Sequence, residues 1–534
     1  MNRAFSIGLV AVVLASLLAH GLHLLQPYFQ HERPLFGSHL SFVDEGTIVP
    51  TLAKYPSLYF YLSFPGTFLN VLGLGIFAEN SLTETVIEAL LNDPVKLAYG
   101  GRVITLLAFY LAAWLAWVGL RPFAGRFGAM VAPIYLISVP ATLTYSAYLL
   151  PDIPLLLFSL VAMMLAMIAV HVPPERGVRF VFLAAAVAGF AASTKYNGAA
   201  TVAMVFVAGC MVHFGGSRRD VAGFSRTALI AAAICGAAFL LGSPGWLIAP
   251  QFFYDELLFE WKHAAEGHAG AMGVPMVGQL EQLLLRVPLL LIGAILGLGV
   301  WWRTGRKAVG WIALVNLGAG LAMTGITSLQ RFHYMYILFP GLLYFAALAL
   351  SRIEKAWPHL LRGGVLAVMG LSVAASVVAS VPLLAPNSLK QARVWLDQNV
   401  SEDQAVALGW AYVPELYTSA EWDELALLPG YAPVVARLRA EQPTERVTRY
   451  AQHVGYLDES EADFLVTSDT IFDRYFQQGT FTERRPADGT EAAMLHDGAR
   501  AFYEALFASD RWRQVHEVDT GNGPRVLIFQ RIGA

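Results

Sequence analysis

The sequence predicts an α-helical polytopic membrane protein with about eleven transmembrane helices and a C-terminal soluble α/β domain. The chain of 534 residues is 56% hydrophobic and only 14% charged, whereas soluble domains carry about 25% charged residues. Long apolar runs fill residues 1–385, and residues 386–534 have the composition of an ordinary soluble protein. The chain therefore divides into a transmembrane domain at 1–385 and a soluble domain at 386–534.

Apolar runs long enough for a membrane helix need about 20 residues. Such runs lie near residues 4–25, 103–120, 127–148, 153–171, 179–194, 197–214, 227–249, 287–302, 308–327, 333–350 and 363–385. The first run resembles a signal peptide, but its length and the many runs after it favour an uncleaved span. Residues 57–77 are nearly as apolar, but Pro65 and Gly66 interrupt them. We interpret this stretch as re-entrant or interfacial.

Positive charge predicts the orientation of the helices. With a cytoplasmic N-terminus, the short cytoplasmic loops contain the arginine and lysine clusters at 121–126, 176–179, 218–226, 303–307 and 352–362. A twelfth span at 57–77 would reverse every later loop and destroy this pattern. The extracytoplasmic side then receives a long first loop (26–101), a second loop (250–286) and the C-terminal domain. We expect a multi-pass protein of the cell (inner, cytoplasmic) membrane.

The C-terminal domain shows the alternation of a small α/β unit. Residues 388–400 have a helical pattern, and QAVALGW and ADFLVTSD have the pattern of buried strands. Residues 498–509 predict a second helix. The segments WRQVHEVD and RVLIFQRI, joined by TGNGP, predict a closing hairpin.

Charged and histidine side chains near the extracytoplasmic membrane surface are functional candidates, because charge is costly at membrane depth. They are Asp44, Glu45, Lys54, Arg102, Asp152, Lys195, His263, His268, Arg331 and His333. Each also has an ordinary explanation. Asp152 could cap the fourth span, Lys195 and Arg331 could extend to the interface, and the tyrosines of the first loop could form an aromatic belt.

Several short segments follow one another in a characteristic order. They are FVDEGTIVPTLAKYPSLYFYL in the first loop, then a span opening at Gly101-Arg102, LLPDIPLLLF, ASTKYNG, SPGWL, EWKHAAEGHAG and QRFHYMYILFP. This order resembles the lipid-carrier-dependent glycosyltransferases of family 39. That group of the GT-C fold includes protein O-mannosyltransferases and the aminoarabinose transferase that modifies lipid A. The resemblance covers residues 1–385 and, more loosely, the C-terminal domain.

Two features depart from the family pattern. The spacing between Asp44-Glu45 and Tyr55-Pro56 is shorter than in the family, and the C-terminal domain has no feature of a MIR domain. Both departures bear on the identity of the acceptor more than on the chemistry of the transfer.

The resemblance implies a polyprenyl-phosphate sugar as donor and transfer to an extracytoplasmic acceptor, which could be a protein, a lipid or an envelope glycan. It implies Asp44 as the base, with Glu45 orienting the acceptor or sharing that role, and a single displacement would invert the anomeric centre. Asp152 is the second catalytic acid that we expect, positioning acceptor or sugar.

An anionic leaving group at the lipid–water boundary requires cations. Lys195, Arg331 and Arg102 are the cations available there. Aromatic and histidine side chains are expected to contact the substrate or line the lipid groove, although packing roles explain the tyrosines equally well: Tyr55, Tyr59, Tyr196, His268 and His333. The sequence requires no cofactor; a divalent cation between Asp44 and Asp152 is the alternative to neutralisation by the cations alone.

Two other classes of function stay open. A secondary transporter would place charges at the bilayer midplane on broken helices, often in two repeated halves, and the sequence has neither feature. A non-catalytic assembly subunit would leave the Asp44-Glu45 pair idle. The sequence has no excess of basic residues that would indicate a nucleic-acid partner. The expected partners are the lipid-linked sugar, the acceptor and membrane lipid.

Overall fold

Helices make up the N-terminal part of a computed structural model of the chain. The structure describes residues 3–27, 32–44, 46–76, 80–215, 220–266, 274–304, 307–428, 430–476 and 491–533. Its first eighteen helices are α1 (Arg3–His23), α2 (Arg33–Asp44), α3 (Leu58–Ile76), α4 (Leu82–Asn92), α5 (Val95–Ala124), α6 (Arg126–Ser138), α7 (Pro140–Ala147), α8 (Asp152–Ala169), α9 (Pro174–Thr194), α10 (Val202–Phe214), α11 (Val221–Gly242), α12 (Gly245–Ile248), α13 (Pro250–Glu266), α14 (Val277–Arg286), α15 (Pro288–Thr304), α16 (Lys307–Gly325), α17 (Phe339–Ala356) and α18 (Pro358–Ser380). Short 3₁₀ helices lie at Tyr196–Thr201, Phe332–Leu338 and Val381–Leu384.

The predicted class of fold, a polytopic helical membrane protein, is confirmed. The orientation of the helices stays a prediction, and α3, predicted to be re-entrant or interfacial, is itself long and apolar enough to span. Within the described ranges, 10 helices are long and apolar enough to cross a membrane, or up to 12 if each of two bent pairs counts as one span. The bent pairs are α6 with α7, at 73°, and α14 with α15, at 109°. Helices dominate because a helix satisfies its own backbone hydrogen bonds where water is absent.

Helix α3, which covers the apolar stretch at 57–77, lies beside the beginning of α5. The Tyr59 hydroxyl is 3.3 Å from Thr105 Oγ1, and Asn70 donates a hydrogen bond to the Lys96 carbonyl. Between these contacts the two backbones meet at Gly66 and Gly100, where a Cβ on Gly100 would lie 1.9 Å from the Gly66 carbonyl oxygen. Helix α3 therefore runs antiparallel to the first turns of α5, and its C-terminal end points away from the rest of that helix.

The first and last spans close the bundle against each other. A Cβ on Gly8 of α1 would lie 2.9 Å from the Leu366 side chain of α18. Near the ends of the same helices, Ser380 Oγ is 3.0 Å from His23 Nδ1. Ser376 of α18 also donates a hydrogen bond to the Ser138 carbonyl of α6.

The bundle has two ends, the site end and the far end. The site end is where α8 begins at Asp152, α9 ends at Thr194, and the 3₁₀ helix Phe332–Leu338 leads into α17. The far end is where α5 ends at Ala124 and α17 ends at Ala356. A single continuous helix, α17, thus connects the two ends.

The C-terminal part is an α/β domain, as predicted. It contains α19 (Ser388–Asn399), β1 (Val406–Leu408), α20 (Ser419–Ala426), α21 (Ala432–Ala440), β2 (Val447–Arg449), α22 (Val454–Glu459), β3 (Phe464–Ser468), α23 (Asp469–Phe476), α24 (Glu491–Phe507), β4 (Trp512–Val518) and β5 (Val526–Arg531). The predicted helices, strands and hairpin correspond to α19, α24, β1, β3 and the pair β4–β5. The domain boundary at residue 385 stays a prediction.

The five strands form one mixed sheet in the order β2-β1-β3-β5-β4. Strand β1 is parallel to β2 and β3, whereas β5 is antiparallel to β3 and β4. Alternate residues face opposite sides of a strand, so Phe464 and Val466 contact the core under α19, and Leu465 contacts the core under α24. The sheet is therefore covered by helices on both faces.

The C-terminal domain is attached to the first loop through α4. Tyr417 donates a hydrogen bond to the Leu91 carbonyl, and Leu91 lies in one apolar cluster with residues of α20 and α21. Lys390 pairs with Asp93 at 2.5 Å. Asn522, in the β4–β5 turn, donates to the Ala385 carbonyl at 2.7 Å. The domain thus contacts both α4 and the segment that follows the last membrane helix.

Candidate active site

A buried ion pair stands at the centre of the site end. Lys195 Nζ lies 2.7 Å from Asp152 Oδ1. Asp152 is in the first turn of α8, and Lys195 sits in extended conformation at the break between α9 and the 3₁₀ helix that follows. The Asp152 side chain is 1% exposed and that of Lys195 is 11% exposed. The ammonium is therefore the partner that a ligand can reach.

Aromatic rings surround this ammonium. Lys195 Nζ lies 4.3 Å from the centroid of the Tyr334 ring and 5.8 Å from that of Tyr55. Lys54 Nζ lies 5.4 Å from the Tyr55 centroid. The negative faces of the rings favour cations at these distances. Burial raises the pKa of Tyr55 well above its usual value, so this phenol stays neutral.

Two further carboxylates, on α13, reach the same region. Glu260 and Glu256 both raise the pKa of Lys54, although burial lowers it overall. Burial raises the pKa of Glu260, and the nearby cations Lys54 and Lys195 reduce that rise. Glu260 is therefore a partly desolvated acid beside the central ion pair.

A second cationic group lies around Tyr145 and includes an arginine of the C-terminal domain. Arg331 and Arg286 both act electrostatically on the Tyr145 hydroxyl. Arg474, on α23, is half-buried. Its pKa is lowered overall, mainly by burial and also by the neighbouring Arg331, and Tyr412 partly offsets this lowering. Its Nε donates to the Thr470 carbonyl at 2.7 Å. Within the described ranges, no carboxylate lies within 4.0 Å of these three guanidinium groups.

Arg102, predicted to bind phosphate, is sequestered in another ion pair. Its guanidinium donates to both carboxylate oxygens of Glu32, at 2.9 and 2.6 Å. It also donates to the carbonyls of Leu24, Gln26 and Pro27. Both side chains of the pair are 0% exposed. In this arrangement Arg102 holds the first loop to α5 and presents no donor to a ligand, so the phosphate site proposed below excludes it.

Of the other predicted residues, His333 contacts the aromatic rings of the site, whereas Tyr196 and Tyr59 hold the surrounding structure in place. His333 is buried, and its ring lies 4.6 Å from those of Tyr145 and Tyr334. Tyr196 donates to the Ala53 carbonyl at 3.2 Å. This bond fixes the loop that carries Tyr55. Tyr59 is buried against Thr105, as described above, in a packing position.

Of the predicted first-loop acids, the structure describes only the backbone of Asp44. Asp44 ends α2, but its side chain, together with Glu45 and His268, lies outside the described residues. The backbone of α2 is held near the site loop, since His39 Nε2 is 3.1 Å from the Phe60 carbonyl oxygen and Ser38 Oγ is 3.0 Å from Thr51 Oγ1. Burial lowers the pKa of His39 to about 4, so it is neutral at physiological pH.

A divalent cation finds no ready ligand set in the described part of the chain. No group of three or more histidine, cysteine, aspartate or glutamate side chains is arranged there to hold a metal. The Asp152 carboxylate is already bonded to the Lys195 ammonium, which occupies the position a cation would take. The alternative that pairs Asp152 with Asp44 stays a prediction.

Four contributors were missed by the sequence analysis: Glu32, Glu260, Tyr334 and Arg474. Glu260 and Tyr334 lie inside segments that carry the family resemblance, EWKHAAEGHAG and QRFHYMYILFP, so their position beside other candidates was the available signal. Glu32 and Arg474 had no such signal, because only the folded chain brings them to their partners.

Comparison with known proteins agrees with this architecture. Residues 94–291 match the family model described as dolichyl-phosphate-mannose-protein mannosyltransferase. The apo crystal structure of ArnT from Cupriavidus metallidurans is similar with a TM-score of 0.51 and 14% identity, covering 98% of both chains. The same protein bound to undecaprenyl phosphate gives 0.50 and 14%, covering 97% of each. No curated protein sequence matches the chain.

A third similar structure is the Archaeoglobus fulgidus oligosaccharyltransferase tethered to an acceptor peptide containing the NVT sequon. It has a TM-score of 0.50 and 12% identity, and covers 98% of this chain and 88% of that one. The chain therefore shares the fold of these membrane proteins, and its residues 94–291 match the mannosyltransferase family model. The family match covers residues 94–291, which lie inside the segment that resembles family 39.

Proposed function

We propose that the chain transfers a sugar from a polyprenyl-phosphate donor to an acceptor on the extracytoplasmic face of the membrane. The observation that carries this proposal is the Lys195 ammonium, oriented by Asp152 at the site end and covered by Tyr334, on whose hydroxyl the charge of Arg331 also acts. A lipid phosphate leaves as an anion, and cations already in position stabilise that charge without reorganisation. The ArnT structure with bound undecaprenyl phosphate supports this type of carrier.

Each cation would have a distinct part in binding the phosphate. Lys195 has three N–H donors, and Asp152 accepts only one of them in the described structure. The remaining donors and the Arg331 guanidinium would bind the phosphate oxygens. Asp152 would act as a positioning residue, since it is almost wholly buried behind the ammonium. Tyr55 and Tyr334 would shield the charges from water and strengthen them.

The transfer itself would be a single displacement. The acceptor oxygen or nitrogen attacks the anomeric carbon, the bond from that carbon to the phosphate oxygen breaks, and the lipid phosphate leaves with the electron pair. The proton of the acceptor passes to a base on the opposite side of the sugar. Asp44, assisted by Glu45, is the proposed base, and the configuration at the anomeric centre is inverted.

Glu260 is a second candidate for the base. Its carboxylate lies in the described part of the site, and its raised pKa is typical of a group that exchanges protons near neutral pH. Separate Asp44→Asn and Glu260→Gln variants distinguish the two. Transfer should be abolished in the variant that removes the base and retained in the other.

The decisive experiment uses the purified full-length protein in lipid nanodiscs with radiolabelled polyprenyl-phosphate sugars. We expect release of the sugar from its carrier, by transfer or by slow hydrolysis. Lys195→Met should abolish this release. Lys262→Met is the matched control, because Lys262 is exposed on α13 and its one ion pair within the described ranges is with its helical neighbour Glu266.

The outcome also separates the other functions. Uptake of the intact donor into liposomes, without cleavage, would indicate a transporter. Neither cleavage nor uptake with any donor, by a folded protein, would indicate a non-catalytic assembly subunit. Normal sugar release by Lys195→Met would disprove the proposed phosphate site.

A further inference from the structure

A large cavity opens at the far end of the bundle, away from the candidate active site. Its volume is about 790 Å³, and the ends of α5, α15 and α17 line it together with the beginning of α6 and a residue of α18. The 18 residues of α17 separate it from the site end by about 27 Å. The cavity is therefore a separate feature of the fold.

Positive charge dominates the wall of this cavity. Six basic side chains line it: Arg121, Arg126, Arg303, Arg352, Lys355 and Arg362. The single acidic residue in the wall, Glu354, forms an ion pair with Arg362. In the described part of the chain, no carboxylate lies within 4.0 Å of the other five. The cavity thus carries a strong positive potential that no described side chain neutralises.

The beginning of α6 adds a second source of positive potential. Gly125, Arg126 and Phe127 line the cavity. Gly125 precedes α6 with φ of 94° and provides no side-chain cap. A Cβ at Gly125 would lie 2.7 Å from Ser351 Oγ, the atom that accepts the Gly128 N–H. The dipole of α6, and the N–H groups of its first turn other than that of Gly128, favour an anion at this end.

Tryptophans indicate the depth of the cavity in the membrane. Trp117 is part of its wall, and the exposed Trp302 and Trp357 flank it next to Arg303 and close to Lys355 in sequence. Tryptophan is enriched where lipid headgroups meet the acyl region. Positive loops on one side of a membrane explain scattered surface charge, but not the convergence of basic residues from several helices on one cavity with a helix N-terminus.

We propose that this cavity binds the headgroup of an anionic phospholipid. The lipid phosphate would accept hydrogen bonds from the first N–H groups of α6 and from Arg126 and Arg352, and the acyl chains would leave past Trp117 into the bilayer. A bound lipid would hold the ends of α5, α6 and α17 together. This proposal is independent of sugar transfer, because it concerns only the far end of the bundle.

The test measures phosphatidylglycerol retained by the full-length protein after transfer from mixed vesicles of phosphatidylglycerol and phosphatidylcholine into detergent. We expect the wild type to keep phosphatidylglycerol selectively. The variant Arg126→Gln/Arg352→Gln should reduce its affinity about thirtyfold, since each basic residue near a membrane surface contributes about fivefold. The matched control is Arg176→Gln/Arg179→Gln, which removes two exposed arginines at the start of α9, outside the cavity wall.

Three results would overturn the proposal. They are equal retention by the variant and the wild type, equal loss in the control, and no selectivity for phosphatidylglycerol over phosphatidylcholine. A separate arm adds inorganic phosphate. If phosphate alone raises the melting temperature as much as phosphatidylglycerol does, the ligand is a soluble anion and the lipid proposal fails. If the double variant does not fold, Arg352→Gln alone is measured against Arg179→Gln with the same criteria.

Discussion

The two buried ion pairs at the site end, Arg102–Glu32 and Lys195–Asp152, have similar chemistry but different surroundings. All the partners of Arg102 come from the protein, namely one carboxylate and three carbonyl groups. Lys195 has one carboxylate and is otherwise covered by aromatic rings. A cation with every donor occupied stabilises the fold, whereas one with donors left over can serve a ligand.

This difference matters because both arginine and lysine were predicted to bind the donor phosphate. Charge and sidedness alone could not separate them, since both residues stand at the same membrane surface in the predicted topology. The number of hydrogen bonds that each cation makes within the protein distinguishes the structural cation, Arg102, from the one that can bind a ligand, Lys195. Variants of the two pairs test it directly.

The largest effect is expected for Arg102→Ala. It leaves the Glu32 carboxylate buried without its partner, which costs about 3–5 kcal/mol in the free energy of unfolding. Thermal melting of the purified variant in nanodiscs measures this loss. Arg102→Met/Glu32→Gln removes both charges and should recover part of the stability together with sugar transfer. A stable double variant without transfer would show that Arg102 has a role in the reaction.

Removal of the Lys195–Asp152 pair as a whole should produce the opposite combination, a loss of transfer with little loss of stability. We expect sugar transfer to fall by about 100-fold to 1,000-fold, the usual effect of removing one group that stabilises developing negative charge. The double variant Lys195→Met/Asp152→Leu avoids an unpaired buried carboxylate and should melt close to the wild type. It should remain inactive. Recovery of transfer in this double variant would make the Lys195 pair structural, like that of Arg102.

Arg474→Gln tests whether the C-terminal domain contributes to the site. Arg474 is half-buried beside Arg331, and we expect its loss to lower kcat/KM for transfer about tenfold, as for a charged hydrogen bond at a partly solvated position. Thermal stability should change little. Arg513→Gln is the control, because Arg513 is exposed on β4 of the same domain. Equal kinetics for both variants would remove the domain from the site.

The smallest expected effect concerns the pH dependence of sugar transfer. Burial raises the pKa of Glu260, so a reaction that needs its carboxylate loses activity as the pH falls through that raised value. This acidic limb should be present in the wild type and absent from the pH profile of any residual activity of Glu260→Gln. The free energy of unfolding depends on pH in the opposite sense, because the folded chain holds the Glu260 proton more tightly than the unfolded chain. The stabilisation is therefore complete below the unfolded pKa and is lost as the pH rises through the folded pKa.

Much of the fold could be predicted because lipid imposes simple rules. Apolar length identified the spans, and Pro65 with Gly66 marked the stretch that became α3. Pro65 lies inside this continuous helix, so the interruption that we expected is absent. The contacts of α3 with α5 nevertheless place it beside the first turns of that helix. In the C-terminal domain, alternation identified β1, β3 and the hairpin, but β2, with one buried residue in three, was too short to detect.

The site was less accessible to sequence reasoning. Asp152 and Lys195 were expected on the same surface, and the structure joins them across 43 positions in the chain. The pairing of Arg102 with Glu32 spans 70 positions and depends on how the first loop folds over α5. Burial of a charge depends on such packing, which periodicity does not encode. Arg474 enters the site only because a separate domain docks there.

The attachment of α4 to the C-terminal domain has a consequence for how the protein is made. Asp93 pairs with Lys390, 297 positions later, and Glu88 pairs with Arg437, 349 positions later. The ribosome synthesises every membrane helix before these partners emerge. The first loop therefore completes its contacts with the C-terminal domain only after that domain has been synthesised, and the attachment of α4 is a late step in the folding of the chain.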